Sequence, residues 1–440
     1  MANPVAALWR IPELKSKILF TLLCLLVYRI GAHVTVPWVN VTALEAWMGQ
    51  AQRTAFGVYD MFVGGGLSRA TIFALGIMPY ISASIMFQLL AAVVPRVEKM
   101  QKEGEDGRKK LTQYTRYTTV ILSIFQAYAM AMFIESIPGA VPNAGTAFRM
   151  TMVLTLVCGA VFIMWLGEQI TERGIGNGMS LMIFFGIIES LPVALYDTFK
   201  LVGTGQVNVI SLVVLFAMMG VVIAGTVAVT MAARKIPVQI PQKVMGRGRV
   251  RQAQKSFIPL RINMAGVMPI IFAQAIMIVP DTLRQMSDAR WISSWASTFA
   301  VNSWPYYLAF SVLIIFFTYF YTSIIYNPVD IAENLKKQGA FVPGIKPGAS
   351  TAAYIDRVMT RISLPGSIFL ALIALVPTAL LQAFGVINLS TVLGGTGLLI
   401  VVGVALDTVQ QMQQHLLLRR YDGFMRKGRI KFRGRQQRYI

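Results

Sequence analysis

The sequence contains few charged residues and almost no histidine or cysteine. Of its 440 residues, 13% are Asp, Glu, Lys or Arg and 55% are hydrophobic, which leaves too little polar surface for a large soluble globule. Cys24 and Cys158 both fall inside apolar runs, so we interpret them as small hydrophobic residues rather than as a disulfide framework. His33 and His415 belong to no cluster with metal-ligand spacing, so no metal and no cofactor are predicted.

The usual nucleotide-binding motifs are also missing. The segment from Gly339 to Gly344 has the glycine spacing of a P-loop, but Ile345 stands where a phosphate-binding lysine is required. Gly174, Gly176 and Gly178 form GxGxG rather than GxGxxG, and they predict a tight turn at the start of a helix. We therefore expect no ATP site and no enzymatic activity in this chain.

Ten apolar runs are long enough to cross a bilayer, which takes roughly 20 residues per helix. They begin near Lys17, Ile72, Tyr117, Arg149, Gly178, Val209, Ile262, Trp304, Arg361 and Thr391. Backbone exposed to lipid must hydrogen-bond to itself, so these runs predict an all-α polytopic membrane protein. The first run follows Lys15 and Lys17 as in a signal peptide, but without a convincing cleavage site, and we interpret it as an uncleaved span.

Positive charge is distributed unevenly between alternate linkers. With the N-terminus placed inside, 33 of the 40 Lys and Arg fall in cytoplasmic segments and six fall in external ones. This asymmetry is the positive-inside pattern, and it predicts both termini in the cytoplasm. The same pattern explains much of the net charge of +21, so nucleic-acid binding by the basic tail is the weaker explanation of that charge.

The ten predicted spans divide into two halves of five. The break falls in the linker LVGTGQVN, giving an N-terminal half of residues 1–205 and a C-terminal half of residues 206–440. Five spans per half make the halves inverted repeats, which usually place the functional path at their interface. No sequence similarity between the halves is evident on inspection. The cytoplasmic loops 234–261 and 327–361 and the basic tail 415–440 carry most of the polar residues.

A short apolar segment, residues 57–68, interrupts this pattern of clean spans. It lies within FGVYDMFVGGGLSRA, is too short to cross a bilayer, and contains Gly64, Gly65 and Gly66. Irregular backbone survives at membrane depth only where protein or a water-filled cavity surrounds it. The segment predicts either a re-entrant helix at a pore or a plain external loop.

An ion-coupled secondary transporter of a small solute is the alternative function. Such a transporter usually needs carboxylates near the bilayer midplane. Glu135, Glu168 and Glu189 lie near predicted span ends, and Asp407 lies in the inner half of the last span. The deep polar residues are mostly amides and hydroxyls, which suit a gate between helices better than an ion-coupling site.

Five blocks of sequence resemble the SecY family of protein-conducting channels, in that family's order. They are FVGGGLSRATIFALGIMPYISASIMFQLLAAVV at 62–94, WLGEQITERGIGNGMS at 165–180, INMAGVMPIIFA at 262–273, NLKKQGAFVPGIKPG at 334–348 and LLIVVGVALDT at 398–408. The resemblance implies an hourglass channel with an aliphatic constriction, a plug helix and a lateral gate. Such a channel would pass unfolded secretory proteins across a bacterial plasma membrane and release membrane-protein helices sideways into lipid.

The family's motifs imply roles for particular residues. The implied constriction consists of Ile81, Ile85, Ile183, Ile271 and Ile400, with Met179 as a further member. The implied plug includes Met61, Phe62, Gly64, Gly65 and Gly66, and the implied lateral gate includes Ser84, Gln88, Gln126 and Asn263. Aliphatic side chains offer no hydrogen bonds, so a narrow ring of them dewets and resists ions. Taken singly, each isoleucine is better explained by helix packing, and only the motif positions together favour a pore.

The resemblance also implies partners for the cytoplasmic surface. The SecA motor ATPase and the translating ribosome, which would supply the energy, would dock on Arg247, Arg249, Arg251, Lys336, Lys337, Lys346 and Arg357. SecE and SecG are the implied membrane subunits, YidC and SecDF are further partners, and preprotein signal sequences and membrane lipids would contact the channel. Lys346 departs from the family, which generally carries arginine there, and lysine offers a point charge where arginine offers a bidentate fork.

Overall fold

The computed structural model describes residues 12–51, 55–205, 208–239, 244–245, 249–250, 255–286, 298, 303–383 and 394–427. Among these described residues, the first half contains eight helices: α1 (Pro12–Gly31), α2 (Val41–Ala51), α3 (Ala55–Phe62), α4 (Met78–Val93), α5 (Pro95–Lys102), α6 (Glu105–Ser136), α7 (Thr146–Arg173) and α8 (Gly178–Gly203). Six lie in the second half: α9 (Val209–Met231), α10 (Met268–Met286), α11 (Trp304–Ile325), α12 (Pro328–Lys337), α13 (Ala349–Ala383) and α14 (Gly395–Lys427).

Most of the predicted spans coincide with long apolar helices. In the described residues, seven helices are long and apolar enough to cross a membrane: α6, α7, α8, α9, α11 with its continuation into α12, α13 and α14. The pair α4 and α5 gives an eighth when counted together, although the two are bent by 108° at the break before Pro95. Helices α1 and α10 occupy the two remaining predicted runs. The predicted runs therefore all contain helix, and the count of ten spans stays a prediction.

Two of the spans begin later than predicted. Helices α4 and α10 start at Met78 and Met268 rather than near Ile72 and Ile262. The residues before them turn at Gly76 and Gly266, whose φ angles of 54° and 64° lie in the left-handed region that glycine tolerates. A proline follows the first residue of each helix, where its missing N–H leaves no hydrogen bond unmade.

Neighbouring helices pack in the same pattern in the two halves. In the first half the contacts are α1 with α7, α4 with α6, α6 with α7, and α7 with α8. The second half repeats them as α9 with α13, α10 with α11, α11 with α13, and α13 with α14. The halves meet along two seams, one where α4 contacts α10 and one where α8 contacts α14.

The loops 234–261 and 327–361 join into one body. Strand β1 (Ala233–Gln239) pairs antiparallel with β4 (Lys255–Arg261), and the short strands β2 (Val244–Met245) and β3 (Arg249–Val250) pair between them. Gln239 exchanges two backbone hydrogen bonds with Phe341 of the second loop, at 2.9 and 3.0 Å. The shared apolar core beneath includes Ile236, Leu260, Val342, Ile355 and Met359. We did not expect strands here, because the alternation of buried Ile236 and Val238 with exposed neighbours covers too few residues to be a strong signal.

Candidate functional site

The five predicted constriction isoleucines lie in a single buried cluster. Ile81, Ile85, Ile183 and Ile271 are each at most 7% exposed, and Ile400 is fully buried. They come from α4, α8, α10 and α14, the four helices that form the two seams between the halves. Met179 is half-buried and packs against the same cluster. The structure thus brings the predicted residues together, and their role in a pore stays a prediction.

A cavity of about 410 Å³, lined by both polar and apolar side chains, lies against this cluster. Ile81, Ile183, Ile271 and Met179 line it, whereas Ile85 and Ile400 do not. Its polar lining includes Ser84, Gln88, Glu172, Asn177, Tyr321 and the bidentate ion pair of Arg116 with Glu168, in which both N···O distances are 2.8 Å. We call this space the Arg116 cavity. These polar side chains can form hydrogen bonds with water, whereas the isoleucines that line the same cavity cannot.

A second cavity, of about 330 Å³, contacts the predicted plug. It is lined by charged residues, among them Arg29, Asp60, Arg69, Glu189 and Asp197, and by Met61, Gly64 and Gly65. Arg29 of α1 and Glu189 of α8 form an ion pair at its wall. We call this space the Arg29 cavity.

Helix α8 shows how the two cavities are separated. Met179 and Ile183 face the Arg116 cavity, and Glu189, Val193 and Asp197 face the Arg29 cavity further along the same helix. Ile183 and Glu189 are about 9 Å apart along the axis, at 1.5 Å per residue. Between them, Ile187 is fully buried in the isoleucine cluster. Along α8, therefore, a buried apolar stretch lies between the residues that line the two cavities, and the hourglass shape stays a prediction.

The predicted plug forms a short helix followed by tight turns. Helix α3 (Ala55–Phe62) contacts both α8 and α10, and Met61, Phe62, Gly64 and Gly66 are buried. Gly64 and Gly65 take φ angles of 68° and 75°, which explains why glycine occupies these positions. The chain passes so close to α8 that a Cβ atom at Gly186 would lie 2.9 Å from the Phe62 carbonyl oxygen.

A few polar contacts hold this segment in place. The Asp60 carboxylate accepts hydrogen bonds from the N–H groups of Leu67 and Ser68, at 2.8 and 2.9 Å. Asp60 lies in α3, outside the membrane-spanning helices, and burial raises the pKa of its carboxyl while the hydrogen bonds from Ser68 act to lower it. The Tyr28 hydroxyl of α1 donates to the Val63 carbonyl at 3.2 Å. Met61, Phe62 and Leu67 are buried as well, so apolar packing and these polar contacts together hold the segment.

The predicted gate residues lie close to the seam between α4 and α10, with one exception. The amide of Gln88 donates to Ser84 Oγ at 3.1 Å, and both residues line the Arg116 cavity together with Met268 and Phe272 of α10. Asn263 is buried in the turn before α10, and its Oδ1 has no hydrogen-bond partner among the described residues. Gln126 is half-buried on α6 and does not line the cavity. In the described part of the chain, no hydrogen bond or ion pair joins α4 to α10.

The predicted docking residues are mostly exposed on the body formed by the two loops. Lys336, Lys337, Lys346 and Arg357 are all exposed. Lys346 stands at a turned tip between Gly344 and Gly348, whose φ angles are 81° and 102°, and its carbonyl accepts the Thr351 hydroxyl at 2.9 Å. Arg249 lies in β3, and Arg247 and Arg251 lie outside the described residues.

The carboxylates that a transporter would need are engaged in ion pairs. Glu135 binds Arg149 at 2.6 Å, Glu168 binds Arg116, and Glu189 binds Arg29. Asp407 is exposed on α14. Three of the four candidate carboxylates thus have a fixed cationic partner, which does not suit reversible ion binding.

A short internal repeat, which we did not predict, precedes and begins helices α4 and α10. ALGIMPYI at 74–81 and MAGVMPII at 264–271 share a glycine, the Met-Pro pair and the final isoleucine. The two glycines make the same left-handed turn, and Ile81 and Ile271 are the fourth residues of α4 and α10. A comparison of the sequence with itself would have found this match, because it needs no gap.

At the seam between α8 and α14, the two helices begin in the same way. Gly178 and Gly395 are the first residues of α8 and α14, and each N–H donates to a threonine hydroxyl of the preceding span, Thr171 at 2.9 Å and Thr378 at 3.2 Å. A Cβ atom at either glycine would lie 2.0 Å from a backbone carbonyl oxygen of that span. Ile183 and Ile400 each follow their glycine by the same number of residues.

Comparison with known proteins identifies a family for this chain. The family model described as SecY matches residues 71–409. The Protein translocase subunit SecY of Aquifex aeolicus (strain VF5) is 41% identical over 433 residues, covering 97% of this chain and 100% of the relative. The protein of the same name from Escherichia coli (strain K12) is 43% identical over 430 residues, covering 96% of each chain.

Solved structures show the same fold at lower sequence identity. A structure titled "The structure of a protein conducting channel" has a TM-score of 0.65 and 17% identity, covering 94% of this chain and 97% of that chain. Sec61 in a canine ribosome-channel complex from the endoplasmic reticulum has a TM-score of 0.61 and 17% identity, with the same two coverages.

Proposed function

The chain belongs to the SecY family and is the subunit of a protein translocation channel, a multi-pass integral membrane protein, and we propose that its five buried isoleucines form the constriction of that channel. One observation carries the proposal: all five isoleucines belong to one buried apolar cluster, and along α8 a member of that cluster, Ile187, lies between the residues that line the Arg116 cavity and those that line the Arg29 cavity. An aliphatic ring of this kind excludes ions because it does not hold water, and it is indifferent to the sequence that passes because it makes no hydrogen bonds.

The plug would be the segment 57–68, which lies against the same cluster. Helix α3 packs on α8 and α10, so it can cover the constriction from the side of the Arg29 cavity. The Asp60 hydrogen bonds hold the segment together internally, whereas the Tyr28 and Tyr59 hydroxyls bond it to its surroundings and Met61, Phe62 and Leu67 are buried against the bundle. Each hydrogen bond contributes about 1 kcal/mol net and each buried apolar side chain about 1.5–3 kcal/mol, so we expect displacement of the segment to need the translocating chain to take over its apolar contacts.

The lateral gate would be the seam between α4 and α10, with α6 and α11 beside it. Since no polar contact joins α4 to α10 among the described residues, the helices can separate without breaking hydrogen bonds or ion pairs. Opening exposes Ser84, Gln88 and the Arg116 cavity, so a signal sequence would find an apolar exit to lipid beside a polar space. Membrane-protein helices would leave by the same route.

Two inverted repeats would explain the arrangement of the four helices at the seams. The matched helix contacts, the Gly-x-Met-Pro turns before α4 and α10, and the glycine starts of α8 and α14 all support this division at residue 205. Inverted repeats place a shared path on their interface. Each half would contribute equivalent isoleucines to it.

The location and partners follow from the same premise. We place the chain in the bacterial plasma membrane with both termini in the cytoplasm, on the strength of the positive-inside pattern. SecE and SecG would be its membrane subunits, YidC and SecDF further partners, and SecA hydrolysis or the translating ribosome the energy source. The ribosome-bound state of Sec61 in its structure supports a docking role for the exposed basic residues of the joined loops.

Disulfide trapping of an arrested chain would test the constriction directly. In a cysteine-free channel, a preprotein stalled during SecA-driven import and carrying one cysteine should form disulfides with a cysteine at Ile81, Ile183 or Ile271. Ile314 on α11 is the matched control, because it is equally buried in the same cluster and is not in the proposed ring. Equal trapping at Ile314, or none at the ring positions, would show that the chain passes elsewhere.

The same vesicles separate the proposal from the transporter alternative. Preprotein import that depends on SecA and ATP supports the channel. Uptake of a small solute driven by an ion gradient, without preprotein import, would contradict it.

A further inference from the structure

The turn between α7 and α8 is held by side chains from three different helices. The Ile175 N–H donates to Thr21 Oγ1 of α1 at 3.1 Å, and the Gly178 N–H donates to Thr171 Oγ1 of α7. The Gly176 N–H donates to Gln411 Oε1 of α14 at 3.0 Å. Gln411 is the member of this set that lies in the second half of the chain, so its bond crosses between the halves.

The Gly176 N–H depends on this bond. Gly176 is buried, and its φ of 87° lies in the left-handed region, so the turn itself offers this N–H no acceptor in the described residues. A Cβ atom at Gly176 would lie 2.9 Å from Leu181 and 3.3 Å from the Thr408 hydroxyl, so the turn sits tightly against α14. Gln411 is exposed on α14, so its side chain reaches from the surface to a buried N–H, and its loss would leave that N–H without a protein acceptor among the described residues.

The turn leads directly into the proposed constriction. Helix α8 starts two residues after Gly176, and Met179 and Ile183 lie in its first two turns. On the other side of the bond, α14 carries Ile400, about 16 Å along the helix from Gln411 at 1.5 Å per residue. The bond therefore fixes α8 relative to α14 at the seam where each half contributes an isoleucine.

Helix α14 continues past Gln411 towards the C-terminal tail. It runs without a break from Gly395 to Lys427, so one helix includes Ile400, Gln411 and the beginning of the basic tail. Because a continuous helix tends to move as a unit, a displacement of the C-terminal end of α14 would also displace Gln411 and Ile400.

We propose that Gln411 is a positioning residue that sets the constriction by holding the Gly176 turn, and that it couples the tail end of α14 to the pore. This inference rests on the proposed constriction. Thr21 and Thr171 hold the same turn within the first half, so Gln411 supplies the link that can change when the halves move apart. The seam between α8 and α14 is tied in this way, while the seam between α4 and α10 has no polar tie in the described residues.

The experiment uses the purified channel complex reconstituted in vesicles, with two measurements on each variant. Hydrogen exchange of the Gly176 amide reports the bond, and resting ion conductance reports the closure of the constriction. Gln411→Leu removes the acceptor, Gln411→Glu keeps an acceptor oxygen, and Gln413→Leu, on an exposed neighbour of the same helix, is the matched control. Ile183→Asn serves as the reference for an opened constriction.

We expect Gln411→Leu to speed exchange at Gly176 by about two- to tenfold, the factor for losing one hydrogen bond, and to raise resting conductance by a similar factor. Gln411→Glu should restore both values, and Gln413→Leu should change neither. Should Gln411→Leu fail to assemble, Gln411→Asn replaces it, because its side chain is one methylene too short to reach Gly176.

The outcomes separate this inference from the proposed constriction. If Ile183→Asn conducts and Gln411→Leu does not, the constriction stands and the role of Gln411 is overturned. If Gln411→Glu also raises the resting conductance, the role of Gln411 is overturned too, because the side-chain acceptor oxygen at this position would then make no difference. If Ile183→Asn itself does not conduct, the proposed constriction is wrong and the inference fails with it.

Discussion

Replacing Ile400 by asparagine would test the idea that dewetting closes the channel. Ile400 is fully buried in the apolar cluster, so an asparagine there would place an amide among apolar side chains. Burial of an unpaired polar group costs about 1–3 kcal/mol, and water entering the ring would remove that cost. The hydrated state should therefore gain about 1–3 kcal/mol over the dry one, which corresponds to a rise in resting ion conductance of about five- to 150-fold.

Ile314→Asn is the control that separates a pore from simple packing. Ile314 on α11 is also fully buried in the same cluster, so its replacement should lower the stability of the fold by a similar amount. Both variants would be reconstituted at equal, verified assembly and their conductance compared by single-channel recording. Equal conductance of the two variants would mean that Ile400 only packs, and the dewetting argument would be wrong.

The plug, the topology, the docking tip and the close-packed glycines each give a further expectation. Gly186→Val should push the plug away from α8 and raise resting conductance, since even a Cβ atom there meets the Phe62 carbonyl; Gly203→Val, at a position with open space on the same helix, should not, and a silent Gly186 variant would show that the plug does not seal. With Cys24 and Cys158 replaced, a cysteine at exposed Lys200 should react with an impermeant reagent from outside and one at Lys427 should not, and the reverse result would overturn the topology. Lys346→Arg should support normal SecA-driven import and Lys346→Glu should block it while the protein still assembles, because the exposed tip needs positive charge; normal import by the Glu variant would remove this residue from docking. Gly178→Ala and Gly395→Ala should each destabilise the fold by about 1–3 kcal/mol in a thermal unfolding assay, because the added methyl group overlaps a carbonyl oxygen, whereas Gly220→Ala should not.

Much of the fold could be predicted because the bilayer restricts what a chain can do. Apolar runs of span length and an uneven distribution of Lys and Arg leave few topologies, and each predicted run contains a helix in the structure. The starts of α4 and α10 were placed too early, since hydropathy does not register the left-handed turns at Gly76 and Gly266. The hairpin of β1 and β4 was missed because its apolar alternation is short.

The site was less accessible from the residues alone. A buried isoleucine in a pore and one in a packed helix have the same local sequence, so only the family motifs distinguished Ile183 or Ile400 from their neighbours. The hydrogen bond from the Gly176 N–H to Gln411 joins residues that are distant in sequence, and no pattern of side chains predicts it, because the donor is a backbone group. Contacts of this kind emerge only when the helices are assembled.

The matched helix starts give a physical reason why the isoleucines converge. At the seam between α8 and α14, Gly178 and Gly395 allow the two helices to begin against a backbone carbonyl of the preceding span, and each glycine N–H donates to a threonine hydroxyl. At the seam between α4 and α10, each helix follows a glycine in the left-handed region and begins with a Met-Pro pair. An isoleucine at a fixed distance from each start then occurs twice per half, as Ile81 and Ile183 in the first and Ile271 and Ile400 in the second. If the halves are related by an axis in the membrane plane, residues equivalent in the two halves meet only near that axis. Repeated helix starts would bring these four isoleucines to the region that both halves share, which would place the constriction at mid-membrane. Ile85 has an alanine at the corresponding position of α10, so it would extend the constriction along α4 without an equivalent in the second half.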